Sequence, residues 1–584
     1  MWTHRSLMHA SRVSRTWPIP IRMPGPRKLQ NVSFGTRRFA SSSARSAENM
    51  ERWSLIKKMA VGSVLFATTA YVVSSDVRKG VRHVVLTSER VGIVTVATFR
   101  CFRLYYKTLQ ADYERPGARE MALKDTHLKA AKITLEALEK NGGIYIKLGQ
   151  HISALTHLLP EEWTSTMIPL QDQCPQSSMA EIEQMFQRDM DCTIDEMFSE
   201  FDPSPVGVAS LAQVHIARLR KTGEKVAVKV QHPSLREFVP LDIFMTQTVF
   251  ELMRKVFPEY PLTWLGDEMQ SSIYVELDFT NEAQNAERTS QYFQKHQNLT
   301  ALRVPQIVSA IPRILIMEYV AGARLDNLEY MKKHKIKPQE VSSCLAHIFN
   351  DMIFSPGVGL HCDPHGGNIA IRAVSGSRSA HNFEIILYDH GLYRQIPLQM
   401  KRDYSHFWLA LLEKNEPDMR KYTEKITGIT DDQTFLIFIA TITGRPPDTA
   451  LNLDLDSTRN SEEAAKIQES LSENNVMEKL MEMLSEMPRV FLLILKTNDL
   501  TRQLDEDLKS PLGPKRTFLI MAQYCARLVY EEKQEYIKEH FSSWSFKYMI
   551  ETAKNIIVFY SRTSALQLYD GYTMLQRLLG GWKA

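Results

Sequence analysis

The sequence predicts an α+β fold of two lobes, with a helical N-terminal extension and a largely helical C-terminal lobe. Three observations predict it. Apolar residues recur at three- and four-residue spacing from 105 to 200 and again beyond 400, the period of helices with one buried face. Between these regions, 212–219, 225–231 and 313–320 are short apolar runs with the length and composition of strands. Asp363, Asn368 and Asp389 then follow in the order and spacing of a site that holds metal and phosphate. At 584 residues the chain has room for both lobes and for segments at either end.

The chain opens on residues 1–47 with nine Lys or Arg and no Asp or Glu. Such an Arg- and Ser-rich, acid-free stretch has the composition of a mitochondrial transit peptide, assigned to 1–45. Arg37-Arg38-Phe39-Ala40-Ser41-Ser42-Ser43 supplies a cleavage region. A disordered basic tail is the plainer alternative, and Pro18, Pro20, Pro24 and Pro26 suit it as well. Without this segment the net charge changes from +4 to −5, with 62 basic and 67 acidic side chains. A nucleic-acid partner needs a basic body, so that class is excluded. The six cysteines (101, 174, 192, 344, 362 and 525) form no C-x-x-C pair, which speaks against a disulfide framework or a zinc site.

Met59 to Ser75 is an apolar run without charge, bracketed by Lys57, Lys58, Asp76, Arg78 and Lys79. It marks 57–76 as a candidate transmembrane helix. As a helix it would span about 25 Å against a hydrocarbon core of about 30 Å. A buried or interfacial helix is the alternative. Val91–Phe99 is too short to cross a bilayer and reads as amphipathic. One inner-membrane anchor after import would leave the catalytic domain facing the intermembrane space. The flanking charge is positive on both sides and does not fix that orientation.

In the helical extension, 105–200, Leu128, Ala131, Leu135 and Leu138 form an apolar face that Asn141-Gly142-Gly143 interrupts. A further helix then carries Lys147-Leu148-Gly149-Gln150. By composition alone Lys147 is a surface lysine. Residues 172–198 read as a polar link and a Met- and Phe-rich amphipathic helix.

The N-lobe is assigned to 201–320. Val226-Ala227-Val228-Lys229-Val230 is a strand carrying a lysine, as the phosphate-pairing lysine of a kinase requires. The loop ahead of it, Gly207-Val208-Ala209-Ser210-Leu211-Ala212, has one glycine and two alanines where kinases have three glycines. Gly207, Ala209 and Ser210 are its candidate phosphate contacts, with less freedom in φ than a glycine loop. Helices from 235 to about 292 contain Glu276 and Glu282, both candidates for an ion pair with Lys229. Met317-Glu318-Tyr319 fits the hinge between lobes, whose backbone would bind adenine; a plain buried strand is the alternative.

The C-lobe is assigned to 321–584, with helices at 325–333 and 338–356 leading to His361-Cys362-Asp363-Pro364-His365-Gly366-Gly367-Asn368. In phosphoryl transfer Asp363 would orient the acceptor hydroxyl, while Asn368 and Asp389 would hold Mg²⁺. His361 reads as a structural loop histidine, His365 as an organiser of the loop, and His390 as a packing residue. Ser375–His381 reads as a polar hairpin insert. A Pro-, Asp- and Asn-rich loop at about 445–460 interrupts the helices beyond 400.

Four motifs in order now carry a resemblance. Lys147-Leu148-Gly149-Gln150 matches KxGQ, Glu276-Leu277-Asp278 matches ExD, 207–215 matches an alanine-rich loop, and 361–368 matches HxDPHPGN with Gly366 in place of Pro. From about 115 to 400 the chain resembles the UbiB, or aarF-domain, atypical kinase-like family. Ser210-Leu211-Ala212-Gln213-Val214-His215 and Asp389-His390-Gly391-Leu392-Tyr393 look more like its mitochondrial branch, animal aarF-domain kinase one and its fungal counterparts, than like the branch dedicated to ubiquinone synthesis. The resemblance implies a protein-kinase-like fold, ATP and Mg²⁺ as cofactors, and a KxGQ helix folded over the active site. It assigns Lys147, Gly149, Gln150, Glu276 and Asp278 to regulation and Glu282 to the ion pair with Lys229. Gly366, and Val206-Gly207-Val208 in the loop, depart from the family pattern.

Two functions follow as expectations. One is a mitochondrial ATP- and Mg²⁺-dependent atypical kinase or ATPase at the inner membrane, coupled to mitochondrial lipid or ubiquinone-related homeostasis, with a lipid or other hydrophobic small molecule as substrate. The other is a non-catalytic scaffold at that membrane, switched by nucleotide. A conventional protein kinase is disfavoured by the missing glycines and the KxGQ segment.

Overall fold

The computed structural model describes residues 75–113, 117–154, 159–171, 174–257, 263–375, 380–443, 483, 487–509 and 513–580. The transit-peptide segment, the candidate membrane helix up to residue 74 and the 445–460 loop lie outside the described residues. Among the described residues no helix is long and apolar enough to cross a membrane. The chain divides at Val85, and Leu86–Ala584 is one compact unit.

The extension begins earlier than its periodicity suggested, with α1 (Ser75–Gln110) ahead of α2 (Ala118–Asn141) and α3 (Ile144–Ala154). Val94 of α1 is buried while the apolar Val96 and Phe99 are exposed, so the 91–99 stretch does not divide into one apolar and one polar face as expected. Gly142 and Gly143 at φ +63° and +58° turn α2 into α3, a left-handed pair that only glycine adopts without strain. Arg90 pins this corner. Its Nε donates to Asp242 Oδ1 at 3.0 Å, its Nη1 to Asn141 O at 2.6 Å, and its guanidinium stacks over Phe238.

Strands β1 (Phe198–Phe201), β2 (Gly207–Val208), β3 (Ala212–Leu219), β4 (Lys225–Gln231), β6 (Ile307–Ile311) and β7 (Ile314–Glu318) form the N-lobe sheet, in the order β1-β3-β4-β7-β6 with β2 on β3. The period of two sorts β4 into faces. Val226, Val228 and Val230 join Ile314 and Ile316 in burial against Ile182, Met185 and Phe186 of α4 (Met179–Asp189). Each such side chain contributes about 1.5–3 kcal/mol when fully buried. Ala227 and Lys229 are left on the cleft face. Helix α4, at the end of the sequence's helical extension, is thus the outer layer of the N-lobe. Helices α5 (Leu235–Val256), α6 (Thr263–Glu276) and α7 (Phe279–Phe293) follow β4.

In the C-lobe, β5 (Leu302–Arg303), β8 (Ala323–Arg324), β10 (Ile369–Ala373) and β11 (Phe383–Leu387) form a second sheet, and β9 (Leu360–His361) pairs with β12 (Tyr393–Arg394). Ala373 pairs with Phe383, so β10 and β11 flank the expected insert, of which 376–379 lie outside the described residues. Below the sheet pack α8 (Pro338–Phe354), α9 (Leu398–Leu412), α10 (Arg489–Asp507), α11 (Gly513–His540) and α12 (Phe546–Gly580). Tyr404, Phe407, Phe438 and Phe491 meet at their centre, fully buried.

Candidate active site

The cleft between the lobes is a cavity of about 1600 Å³ that includes Lys147, Lys229, Glu276, Glu282, Asp363, Asn368 and Asp389 in its lining. Lys229 reaches it because odd residues of β4 face away from α4. Its Nζ donates to both carboxylate oxygens of Glu282, at 2.6 and 2.9 Å, and to Asp389 Oδ1 at 2.8 Å. Burial pushes Glu282 up to about 7, against the pull of Lys229. Burial also opposes ionisation of Asp389, but Lys229, with Lys147 adding to it, holds its carboxyl well below the usual range. Of the two candidate glutamates, Glu282 therefore pairs with Lys229.

Glu276 takes the other lysine. Lys147 Nζ lies 3.0 Å from Glu276 Oε2 and 3.7 Å from Asp363 Oδ2, so α3 stands over the acceptor side of the cleft. Burial disfavours the charge on Lys147, yet Glu276 and Asp363 raise its pKa above that of an ordinary lysine. Gly149 makes this approach possible, since a Cβ there would fall 2.1 Å from Leu170 Cδ1. Gln150 donates to Leu170 O at 3.0 Å and accepts from the Ser210 hydroxyl at 3.4 Å. The bonds of Asp278 run elsewhere than to this helix. Its Oδ1 caps α7 by accepting from Thr280 N at 3.0 Å and from the Thr280 hydroxyl at 2.6 Å.

One imidazole sets the separation of the two aspartate loops. The Asp363 N–H donates to His361 Nδ1 at 3.0 Å, which leaves the proton on Nε2 to donate to Asp389 O at 3.0 Å. His361 is buried and neutral, a brace rather than a base. His365 shapes the loop by accepting from Gly367 N at 3.1 Å, and Asn368 Nδ2 donates to Asp363 O at 3.2 Å. His390 donates from Nε2 to Leu387 O at 3.2 Å and accepts from the Tyr393 hydroxyl at 3.0 Å. Burial pushes it down to about 3.

Sequence reasoning missed Lys496. On α10, its Nζ donates to Asp363 Oδ1 at 3.0 Å. Burial would raise Asp363, but Lys496 first and Lys147 second hold its carboxyl well below the ordinary value. The signal was present: Lys496 ends the apolar run Val490-Phe491-Leu492-Leu493-Ile494-Leu495, an unusual place for a lysine on a packed helix.

The nucleotide end differs from expectation in two respects. Ala209 N donates to Ala212 O at 2.8 Å, closing the loop on itself, and the Ser210 hydroxyl goes to Gln150. A Cβ on Gly207 would meet nothing within 4 Å, so no contact demands glycine there. In the hinge, Met317, Glu318 and Tyr319 all line the cavity. Glu318 N already donates to Gln306 O at 2.8 Å and Tyr319 N to Lys225 O at 3.3 Å, so neither N–H is open to adenine. Both Glu318 oxygens bind Arg303.

The donor set fits Mg²⁺ bound together with phosphate. Among the described residues no group of three His, Cys, Asp or Glu could hold a metal unaided. Asp389 and Asn368 offer oxygens, and Glu276 Oε1 is a buried acceptor with no hydrogen-bond partner. Mg²⁺ takes few protein ligands and completes its shell with phosphate and water.

Residues 169–423 match the ABC1 atypical kinase-like domain. The ABC1 family protein MCP2 of Saccharomyces cerevisiae is 54% identical over 515 residues, 87% of this chain and 90% of that protein. AarF domain-containing kinase 1 of Drosophila melanogaster is 35% identical, covering 77% of this chain and 84% of its own length. A solved complex of Rv3197 with erythromycin from Mycobacterium tuberculosis aligns over 68% of this chain and 97% of that one, at 17% identity and a TM-score of 0.42; the assignment does not rest on it. With a lysine–glutamate pair, two aspartate loops and a KxGQ helix in one cleft, and relatives matched over most of their length, the chain belongs to the ABC1, or aarF-domain, atypical kinase-like family.

Proposed function

We propose that the protein is an ATP- and Mg²⁺-dependent phosphotransferase or ATPase acting on a lipid or other hydrophobic small molecule at the mitochondrial inner membrane, its catalytic domain facing the intermembrane space. The observation that carries the catalytic reading is Asp363. It lines the cleft, is kept ionised by Lys496 and Lys147, and shares the cleft with the Lys229–Glu282–Asp389 cluster. A scaffold that only binds nucleotide needs that cluster and has no use for Asp363.

In this reading Lys229 neutralises the nucleotide's α- and β-phosphates, and Glu282 fixes its position. Mg²⁺, held by Asn368 and Asp389, would supply charge neutralisation between the phosphates. Asp363 is a weak base with its carboxyl held so low. It orients the acceptor hydroxyl or water and receives the proton as bond formation acidifies that group. Helix α3 covers the acceptor side through Lys147, so a polypeptide acceptor would have to displace it; this favours a small molecule. The acid-free N-terminal segment and the apolar run at 59–75 support the location.

The test is Mg²⁺-dependent ATP turnover by the chain from residue 80 onward, with and without vesicles of anionic lipid. Turnover stimulated by vesicles and absent in both Asp363→Asn and Asp389→Asn is the expected result. Nucleotide binding without turnover, lost only in Asp389→Asn, would favour the nucleotide-gated scaffold. Protease protection in intact mitochondria and in mitoplasts tests the orientation: the domain should be cleaved only in mitoplasts.

A further inference from the structure

We propose that Lys496, delivered by α10 from the C-terminal region, is a catalytic cation that passes from Asp363 to the transferring phosphoryl group. The proposal rests on the phosphoryl-transfer reading of the cleft. Three lysines line that cleft near its carboxylates, and they are held differently. Lys229 binds three carboxylate oxygens. Lys147 is divided between Glu276 and Asp363. Lys496 has one carboxylate contact among the described residues, Asp363 Oδ1, and its side chain is 23% exposed.

The helix beneath it is fixed. The Thr497 hydroxyl donates to His361 O at 3.2 Å, and Asn498 Nδ2 to the Tyr404 hydroxyl at 2.7 Å. Further along, Leu504 lies where a Cβ on Gly366 would meet it at 3.6 Å. The backbone of α10 is thus tied to the catalytic loop and to α9, while the flexible stem of Lys496 can swing.

The chemistry gives Lys496 a reason to move. The acceptor oxygen bonds to the γ-phosphorus as the bond from phosphorus to the β,γ-bridging oxygen breaks. That electron pair stays on the oxygen, which becomes a terminal oxygen of ADP, and the acceptor's proton passes to Asp363. The anionic phosphoryl group entering the cleft competes with Asp363 for Lys496, whose charge then serves the equatorial phosphoryl oxygens as the bonds exchange.

The experiment compares wild type, Lys496→Met, Lys496→Gln and Lys496→Arg as full-length chains in Mg²⁺. Calorimetry measures binding of ADP with and without aluminium fluoride, a mimic of the transferring phosphoryl group, and turnover is measured beside it. Wild type should bind ADP with fluoride more tightly than ADP alone. The Met and Gln variants should keep ADP affinity within about twofold and lose that gain, with kcat down about 100-fold and KM little changed. Lys496→Arg should recover most of the gain, and melting curves identify any variant that has lost its fold. Retention of the gain by a folded Met or Gln variant, or no gain in wild type, would overturn the proposal. A gain that depends on Lys496 in a protein with no turnover would keep the contact between Lys496 and the phosphoryl mimic but overturn the catalytic reading, and with it a catalytic role for Lys496.

Discussion

Asp389 and Asp363 share one cleft, and each is held by lysine, yet they are built from different parts of the chain. The lysine of Asp389 comes from β4 of the N-lobe and is shared with Glu282 of α7. The lysines of Asp363 come from α3, ahead of the lobes, and from α10, deep in the C-terminal region. The metal side is therefore held by β4, α7 and the Asp389 loop, whereas the acceptor side also needs α3 from ahead of the lobes and α10 from the C-terminal helices. Nucleotide binding and turnover should be separable by mutations that never touch either aspartate.

The strongest way to break that distinction is at Arg90. Arg90→Ala leaves Asp242, which is 2% exposed, without its charge partner, at a cost of about 3–5 kcal/mol. Denaturant unfolding should show that loss. Turnover should also fall more than nucleotide affinity, because Arg90 holds the carbonyl of Asn141, the last residue of α2 before the glycine turn into α3. Equal falls in both would argue that the two sides are one unit. Gly149→Ala is a milder version. Its Cβ must displace Leu170, which is fully buried, so a stability loss of about 1–3 kcal/mol is expected in thermal unfolding, together with a weakened hold on Asp363.

Acid should act through histidines on both sides, His151 beside Asp363 and His390 beside Asp389. His390, 1% exposed, is pushed down to about 3 from the usual 6.5. Below 6.5 the unfolded chain binds a proton that the native chain refuses until about pH 3. Its contribution is intact above pH 6.5 and falls by up to about 1.4 kcal/mol per pH unit down to 3. His390→Leu should flatten the slope of stability between pH 6 and 4; an unchanged slope would assign the acid sensitivity elsewhere. The smallest effect belongs to Ser210→Ala, which removes a hydrogen bond worth about 0.5–1.5 kcal/mol between the phosphate loop and Gln150. It should shift nucleotide affinity less than fivefold in a direct titration.

The contrast between the two sides is also the contrast between what the sequence made legible and what it did not. β3 and β4 lie at 212–219 and 225–231, where the apolar runs predict strands; Asp363, Asn368 and Asp389 were legible from their local spacing and Lys229 from the apolar strand that carries it, and all four line one cleft. Lys147 was legible only through a resemblance, since nothing local marks a lysine as buried. Lys496 lies 133 residues from its partner, and no local period links a tail helix to a catalytic loop. The two-residue strands β5, β8, β9 and β12 were too short to display a period. That Ala209 N, Glu318 N and Tyr319 N donate within the chain was not legible, because hydrogen-bond partners depend on register, which composition does not contain.

The most direct test pairs Asp363→Asn with Asp389→Asn and measures Mg·ATP affinity and turnover on the same preparations. Asp363→Asn should bind Mg·ATP within a fewfold of wild type and turn over about 1000-fold more slowly, while Asp389→Asn loses Mg²⁺-dependent affinity and turnover together. Turnover at the wild-type rate in Asp363→Asn, or unchanged Mg·ATP affinity in Asp389→Asn, would contradict the division of the cleft into an acceptor side and a metal side.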